Sequence, residues 1–147
     1  MNCGQVCICN ERTLVHEAVY KPFLEAFVEQ ARALRIGDPM SEQTDIGPKV
    51  SRPELEKVER MVAGAVSAGA KVALGGKRPE KLPTPGGNWY ATTVLTDVTP
   101  DMAIMQDEIF GPVVPIASFK SSPMRCRSAT GAATASPPTS SPATSCR

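Results

Sequence analysis

Asn2-Cys3-Gly4-Gln5-Val6-Cys7, continuing through Ile8-Cys9-Asn10-Glu11 into Arg12-Thr13-Leu14-Val15, decides how this chain is read. A thiol is a nucleophile only as thiolate, and the carbonyl it attacks needs backbone donors for the oxyanion that forms. Glycine shortly before the thiol lets the backbone turn tightly and brings amide N–H groups close to the reacting centre. Cys7 follows such a Gly-Gln turn, whereas Cys3 and Cys9 do not. Taken by itself, a cysteine reads as a small buried hydrophobe. Cys3, Cys7 and Cys9 with His16 also admit a metal site. That set lacks the paired Cys-x2-Cys knuckle and would take its fourth ligand from the chain's single histidine, so no metal is expected. His16 reads as a solvated strand-end residue.

Outward from this stretch, Arg12 to His16 reads as a short strand and residues 17–34 as a helix, with Phe23, Phe27, Ala31 and Leu34 on one stripe. Pro22 is tolerated only in a first turn, which moves the expected helix start toward Tyr20. Ile36-Gly37-Asp38-Pro39 ends it. Ser51-Arg52-Pro53-Glu54 is a capping-box signature opening a second amphipathic helix, with Leu55, Val58, Val62 and Val66 on its stripe and Gly69 closing it. Ala70 to Leu74, Trp89 to Val98 and Val113 to Phe119 read as extended, and 77–87 as a loop rich in proline and glycine. The order of elements is an α/β pattern with short connections.

The 147 residues carry a formal charge of +1, so no strong field points to nucleic acid or an acidic membrane surface. No apolar run approaches the roughly 20 residues of a spanning helix, and the first residues do not have the form of a signal peptide. Five cysteines at uneven spacing do not form a secreted disulfide framework, and the expected location is cytoplasmic. Residues 121–147 differ in kind. Ser, Thr, Ala and Pro make up 20 of the 27, with no Val, Ile, Leu, Phe, Trp or Tyr, and disorder is expected there. With GC-rich synonymous codons, an offset frame from Pro123 onward spells a string containing Y-G-L-T-A-Y-L-F-T-S-D. The tail is therefore read as out-of-frame translation, which the coding DNA past Ser122 would check.

Far along the chain stands Glu108-Ile109-Phe110-Gly111-Pro112-Val113. Together with Asn2 to Cys7 and Arg12-Thr13, this run resembles the aldehyde dehydrogenase superfamily over residues 2–119. Gly37-Asp38-Pro39 through Gly47-Pro48, Ala68-Gly69-Ala70-Lys71 with Gly75-Gly76, and Val94-Leu95 through Asp101-Met102 follow in the family's order. Asp107 stands where the family often has a second glutamate, and Ala91-Thr92-Thr93 lacks a customary proline. The resemblance implies that Cys7 is the catalytic nucleophile, that the Glu108 carboxylate holds the nicotinamide ribose of NAD or NADP, and that Phe110 packs beside the nicotinamide. It implies a small-molecule aldehyde as substrate and a homo-oligomeric parent family. Residues around Cys7 to Arg12 and Val113-Val114-Pro115 are similar to members acting on small hydroxyaldehydes such as lactaldehyde.

The family's general base and nucleotide-binding half lie upstream of the thiol. The fold expected is therefore α/β, a partial aldehyde dehydrogenase catalytic domain over residues 1–120 with the Rossmann-like cofactor domain absent. Without a nucleotide fold and a base, the chain alone is expected to be inactive as a dehydrogenase. The alternatives are a non-enzymatic remnant, or an interaction fragment pairing with intact family members through an unfilled sheet edge. Marginal folding is also expected, because the two helical stripes need a sheet face to bury against.

Overall fold

A computed structural model describes residues 2–81 and 86–120. The order is β1 (Thr13–His16), α1 (Glu17–Ala33), α2 (Arg52–Ser67), β2 (Lys71–Leu74), β3 (Thr93–Thr96), α3 (Ala103–Gln106) and β4 (Val113–Phe119). The strands form one mixed sheet in the order β1-β4-β3-β2. β4 lies parallel to both β1 and β3, while β2 runs antiparallel to β3. The fold is thus α/β, as expected. The reading of residues 121–147 as a disordered, frameshifted tail lies outside the described residues.

Period-two alternation sends neighbouring side chains to opposite faces, and both faces are covered. Val15, Val94, Val114 and Ile116 point toward α1 and meet Tyr20, Leu24, Phe27, Val28 and Ala31. Their neighbours Leu14, Leu95, Val113 and Ala117 belong to the opposite cluster with Leu55, Val58, Val62 and Ala65 of α2 and Ile104 and Met105 of α3. All four residues of β3 are buried. Both helices therefore find the sheet face they need.

Two expected stripes are rotated. On α1 the packed residues include Tyr20, Leu24 and Val28, and Phe23 and Leu34 are left 37% and 40% exposed. On α2, Ala65 is buried where Val66 was expected, and Val66 is 44% exposed.

The helix start near Tyr20 is corrected. α1 begins at Glu17, because the Nδ1 of His16 accepts the N–H of Ala18 at 3.2 Å and caps the helix. Pro22 lies inside the helix, which forgoes one ladder hydrogen bond there. His16 is therefore a cap, and its ring meets Phe119 edge-on at 5.4 Å. Ser51 caps α2 as expected, accepting from the Glu54 N–H at 3.4 Å, but the Glu54 carboxylate turns to Lys49 at 3.8 Å. α3 has no signature in its sequence: Met102 precedes it without a side-chain cap.

Candidate active site

Cys7 is exposed on the loop between a 3-10 turn at Asn2–Gly4 and β1. The Cys9 N–H donates to the Val6 carbonyl at 2.9 Å, which places Cys7 and Ile8 at the tip of a tight turn. Cys3, by contrast, is buried at 1% exposure, and burial pushes its thiol up to about 11 against a smaller opposing pull from Lys49. Cys9 is half-buried, and all three are free thiols. The structure thus separates three neighbouring cysteines into one inert, one intermediate and one open to solvent.

Gln5 is nearly buried and anchors this loop. Its Nε2 donates to the Pro48 carbonyl at 3.3 Å and its Oε1 accepts from the Val50 N–H at 2.8 Å. Gly4 has φ +73°, and a Cβ built there would collide with the Gly111 carbonyl oxygen. The thiol motif and the Glu108 to Pro112 motif therefore touch backbone to backbone, a contact only glycine permits.

Two adjacent side chains hold the junction. Glu11 accepts the Phe110 N–H at 2.6 Å and the Ile109 N–H at 3.1 Å. Arg12 donates from Nε to the Met105 carbonyl and from a terminal nitrogen to the Asp107 carbonyl, both at 2.7 Å. Each is a charge-assisted bond to backbone, of the stronger class. Glu108 lies between these anchor points and is exposed, with no hydrogen-bond or ion-pair partner among the described residues. Phe110 is half-buried with φ +54°, and its carbonyl accepts from Lys49 Nζ. Lys49 is buried, and burial lowers the pKa of its ammonium, with Glu54 acting in the opposite sense.

Sequence reasoning named Cys7, Glu108 and Phe110, and the loops carrying them meet. It quoted Glu11 and Arg12 only as part of a run, and it missed Lys49. A charged residue inside a loop carries no periodic signal, and only burial marks it. A cavity of about 520 Å³ opens beside this junction, with Ile8, Cys9, Glu11 and Phe27 in its wall; neither Cys7 nor Glu108 lines it. Among the described residues no cluster of His, Cys, Asp and Glu could hold a metal ion. Nor is any helix there long and apolar enough to cross a membrane.

The model of the aldehyde dehydrogenase family matches residues 1–127. The chain belongs to that family. It is 42% identical over 118 residues to a 3,6-anhydro-alpha-L-galactose dehydrogenase of Vibrio sp. (strain EJY3), a match covering 80% of this chain and 25% of the relative. A 3-sulfolactaldehyde dehydrogenase of Priestia aryabhattai is 45% identical over 118 residues, covering 80% and 23%. Among solved structures, a 3,6-anhydro-L-galactose dehydrogenase in complex with NAP superposes with a TM-score of 0.83 at 46% identity, covering 86% of this chain and 27% of that one. A betaine aldehyde dehydrogenase of Staphylococcus aureus in complex with NAD+ gives a TM-score of 0.84 at 30% identity, covering 89% and 27%. The chain spans about a quarter of the length of these family members.

Proposed function

We propose that the chain is the thiol-bearing part of an NAD(P)-dependent aldehyde dehydrogenase, with Cys7 as nucleophile and Glu108 and Phe110 facing the nicotinamide-ribose end of the cofactor. One observation carries this reading. Glu11 and Arg12, directly after the thiol loop, grip the backbone on both sides of Glu108, so the two chemistry-bearing loops form one junction.

The chemistry follows from what each group can do. The Cys7 thiolate adds to the aldehyde carbon to give a thiohemiacetal, whose oxyanion takes donors from the turn. Cys7 and Ile8 N–H groups have no backbone acceptor among the described residues and are free for that task. A bound NAD(P) supplies the acceptor for the hydride that leaves this carbon. The remaining thioester takes up water and releases the carboxylic acid and the thiol. Two unpaired carboxylate oxygens on Glu108 suit the two hydroxyls of a ribose, each donating one hydrogen bond. Phe110 offers a partly open ring beside them. These residues fit the nicotinamide-ribose half.

Nothing among the described residues suits the other half. β1 passes directly into α1 at His16, without the glycine loop that receives a pyrophosphate. Glu11, the carboxylate nearest in sequence to the thiol loop, is not free to act as a base for thioester hydrolysis, since both its oxygens accept backbone amides. The described residues are therefore read as equipped for thiol attack and not, by themselves, for turnover. Similarity to a 3-sulfolactaldehyde dehydrogenase supports a small, polar hydroxyaldehyde as substrate, and free thiols at Cys3, Cys7 and Cys9 suit a reducing compartment such as the cytosol. A second reading has the chain pairing with intact family members through a sheet edge. β1 and β2 are edge strands among the described residues, and three of the four β2 residues are exposed, which favours it.

The test is to incubate the purified chain with small hydroxyaldehydes and NAD or NADP at high protein concentration, beside Cys7→Ser. The expected result is no cofactor reduction, with aldehyde protecting Cys7 from alkylation. Cofactor reduction that vanishes in Cys7→Ser would overturn the inactivity. Absence of protection would overturn the nucleophile assignment.

A further inference from the structure

Phe110 is one of four non-glycine residues among those described whose φ is positive, and it alone has both sides of its backbone held by charged side chains. Its N–H donates to Glu11 Oε1 at 2.6 Å, and its carbonyl accepts from Lys49 Nζ. The same ammonium stands 5.6 Å from the centre of the Phe110 ring. Left-handed backbone is strained for a residue with a Cβ, and it persists only where the surroundings over-determine it.

Lys49 is costly in its own right. Its side chain is fully buried, and its nearest carboxylate, Glu54, is 3.8 Å away. An apolar side chain of similar length would fill the same space without the desolvation penalty. What the ammonium adds is a charged donor to one particular carbonyl, delivered from a segment that Gln5 pins at Pro48 and Val50. Glu11 adds the complementary acceptor, and its second oxygen takes the preceding Ile109 amide at 3.1 Å.

We infer that Glu11 and Lys49 are a pair of positioning residues that hold the Phe110 backbone from opposite sides in its left-handed conformation, and thereby aim the Glu108 carboxylate and the Phe110 ring at the nicotinamide ribose. Neither need touch the cofactor. Removing either lets φ return to the negative region, which rotates the Phe110 ring and releases the segment carrying Glu108. The aim toward ribose rests on the function proposed above, whereas the hold on the backbone does not.

The experiment uses the whole chain, isotopically labelled, in four forms: unsubstituted, Glu11→Gln, Lys49→Met and Glu108→Gln. The one-bond Cα–Hα coupling of Phe110 reports the left-handed conformation, and titration with nicotinamide mononucleotide reports the half-site that Glu108 and Phe110 would form. Thermal midpoints show that each form is folded at the temperature used. The left-handed coupling is expected in the unsubstituted chain and Glu108→Gln, and lost in Lys49→Met. Glu11→Gln keeps one neutral acceptor and is expected to retain part of it. Binding of the mononucleotide is expected to weaken about tenfold in Lys49→Met, in line with the cost of small misplacements, less in Glu11→Gln, and to vanish in Glu108→Gln. A merely structural role would lower the midpoints of both clamp variants and leave the coupling and the titration unchanged, which overturns the inference. Absence of the left-handed signature in the unsubstituted chain overturns it too. No mononucleotide binding by the unsubstituted chain, with the coupling behaving as expected, would refute the cofactor-facing reading and leave the backbone hold standing.

Discussion

Replacing Gly4 by alanine tests the contact on which the site is built. Gly4 sits at φ +73°, where an alanine costs roughly 1–2 kcal/mol. Its new Cβ would also overlap the backbone of Gly111, and a backbone carbonyl cannot swing aside as a side chain does. The two loops must part, which strains the four hydrogen bonds that Glu11 and Arg12 make across the junction. Losing one or two of these charge-assisted bonds adds about 1.5–3 kcal/mol apiece. Together these give a destabilisation of roughly 2.5–8 kcal/mol, a large share of a small domain's stability of about 5–15 kcal/mol. Gly86→Ala is the matched control, since φ there is +77° and nothing lies within 4 Å of the added Cβ. Urea unfolding of the three proteins, followed by far-UV circular dichroism, gives the comparison. If Gly4→Ala proves no less stable than Gly86→Ala, the loops do not meet as described and the joint site dissolves with them.

Sub-stoichiometric iodoacetamide followed by peptide mapping should label Cys7 first, Cys9 more slowly and Cys3 only after urea; equal labelling in the native state would contradict the burial order. Between pH 9 and 11 the unfolded chain loses the Cys3 proton while the folded one keeps it, so stability should fall across this window by about 3 kcal/mol, at 1.36 kcal/mol per unit. Cys3→Ala should lack that part of the slope, and parallel pH curves for the two proteins would refute it. Val58→Ala removes two methyl groups from a fully buried position under Gly111 and should cost roughly 2–3 kcal/mol by calorimetry, whereas the same change at exposed Val72 should cost under 1.

The strands and both long helices were legible because burial imposes a period, and period survives in sequence. Leu14 and Val15, or Val94 and Leu95, announce a two-faced strand. What was not legible depends on exchange between distant parts. His16 caps α1 only because the strand delivers it there, so Pro22 misled the placement of the helix start. Val66 lost its expected place to Ala65 because the angle at which α2 meets the sheet is set by the sheet. Lys49 looks like any surface lysine until Phe110 arrives from far along the chain. Cys7, Glu108 and Phe110 were singled out through their motifs and stand as the proposed site, while the residues joining their loops were hidden in plain charge.

The parallel pairing of β1 with β4 also orders events at birth. Thr13 pairs opposite Ile116, and Glu11 binds an amide 99 positions away. β1 therefore waits for its β4 partner until about 100 further residues have been translated, a delay of about 5–20 s at common elongation rates. Such high contact order slows closure of the sheet and leaves β1 without β4, beside an accessible thiol, during that delay. Nascent copies of this polypeptide are accordingly the form most open to chaperone capture and to cross-strand aggregation.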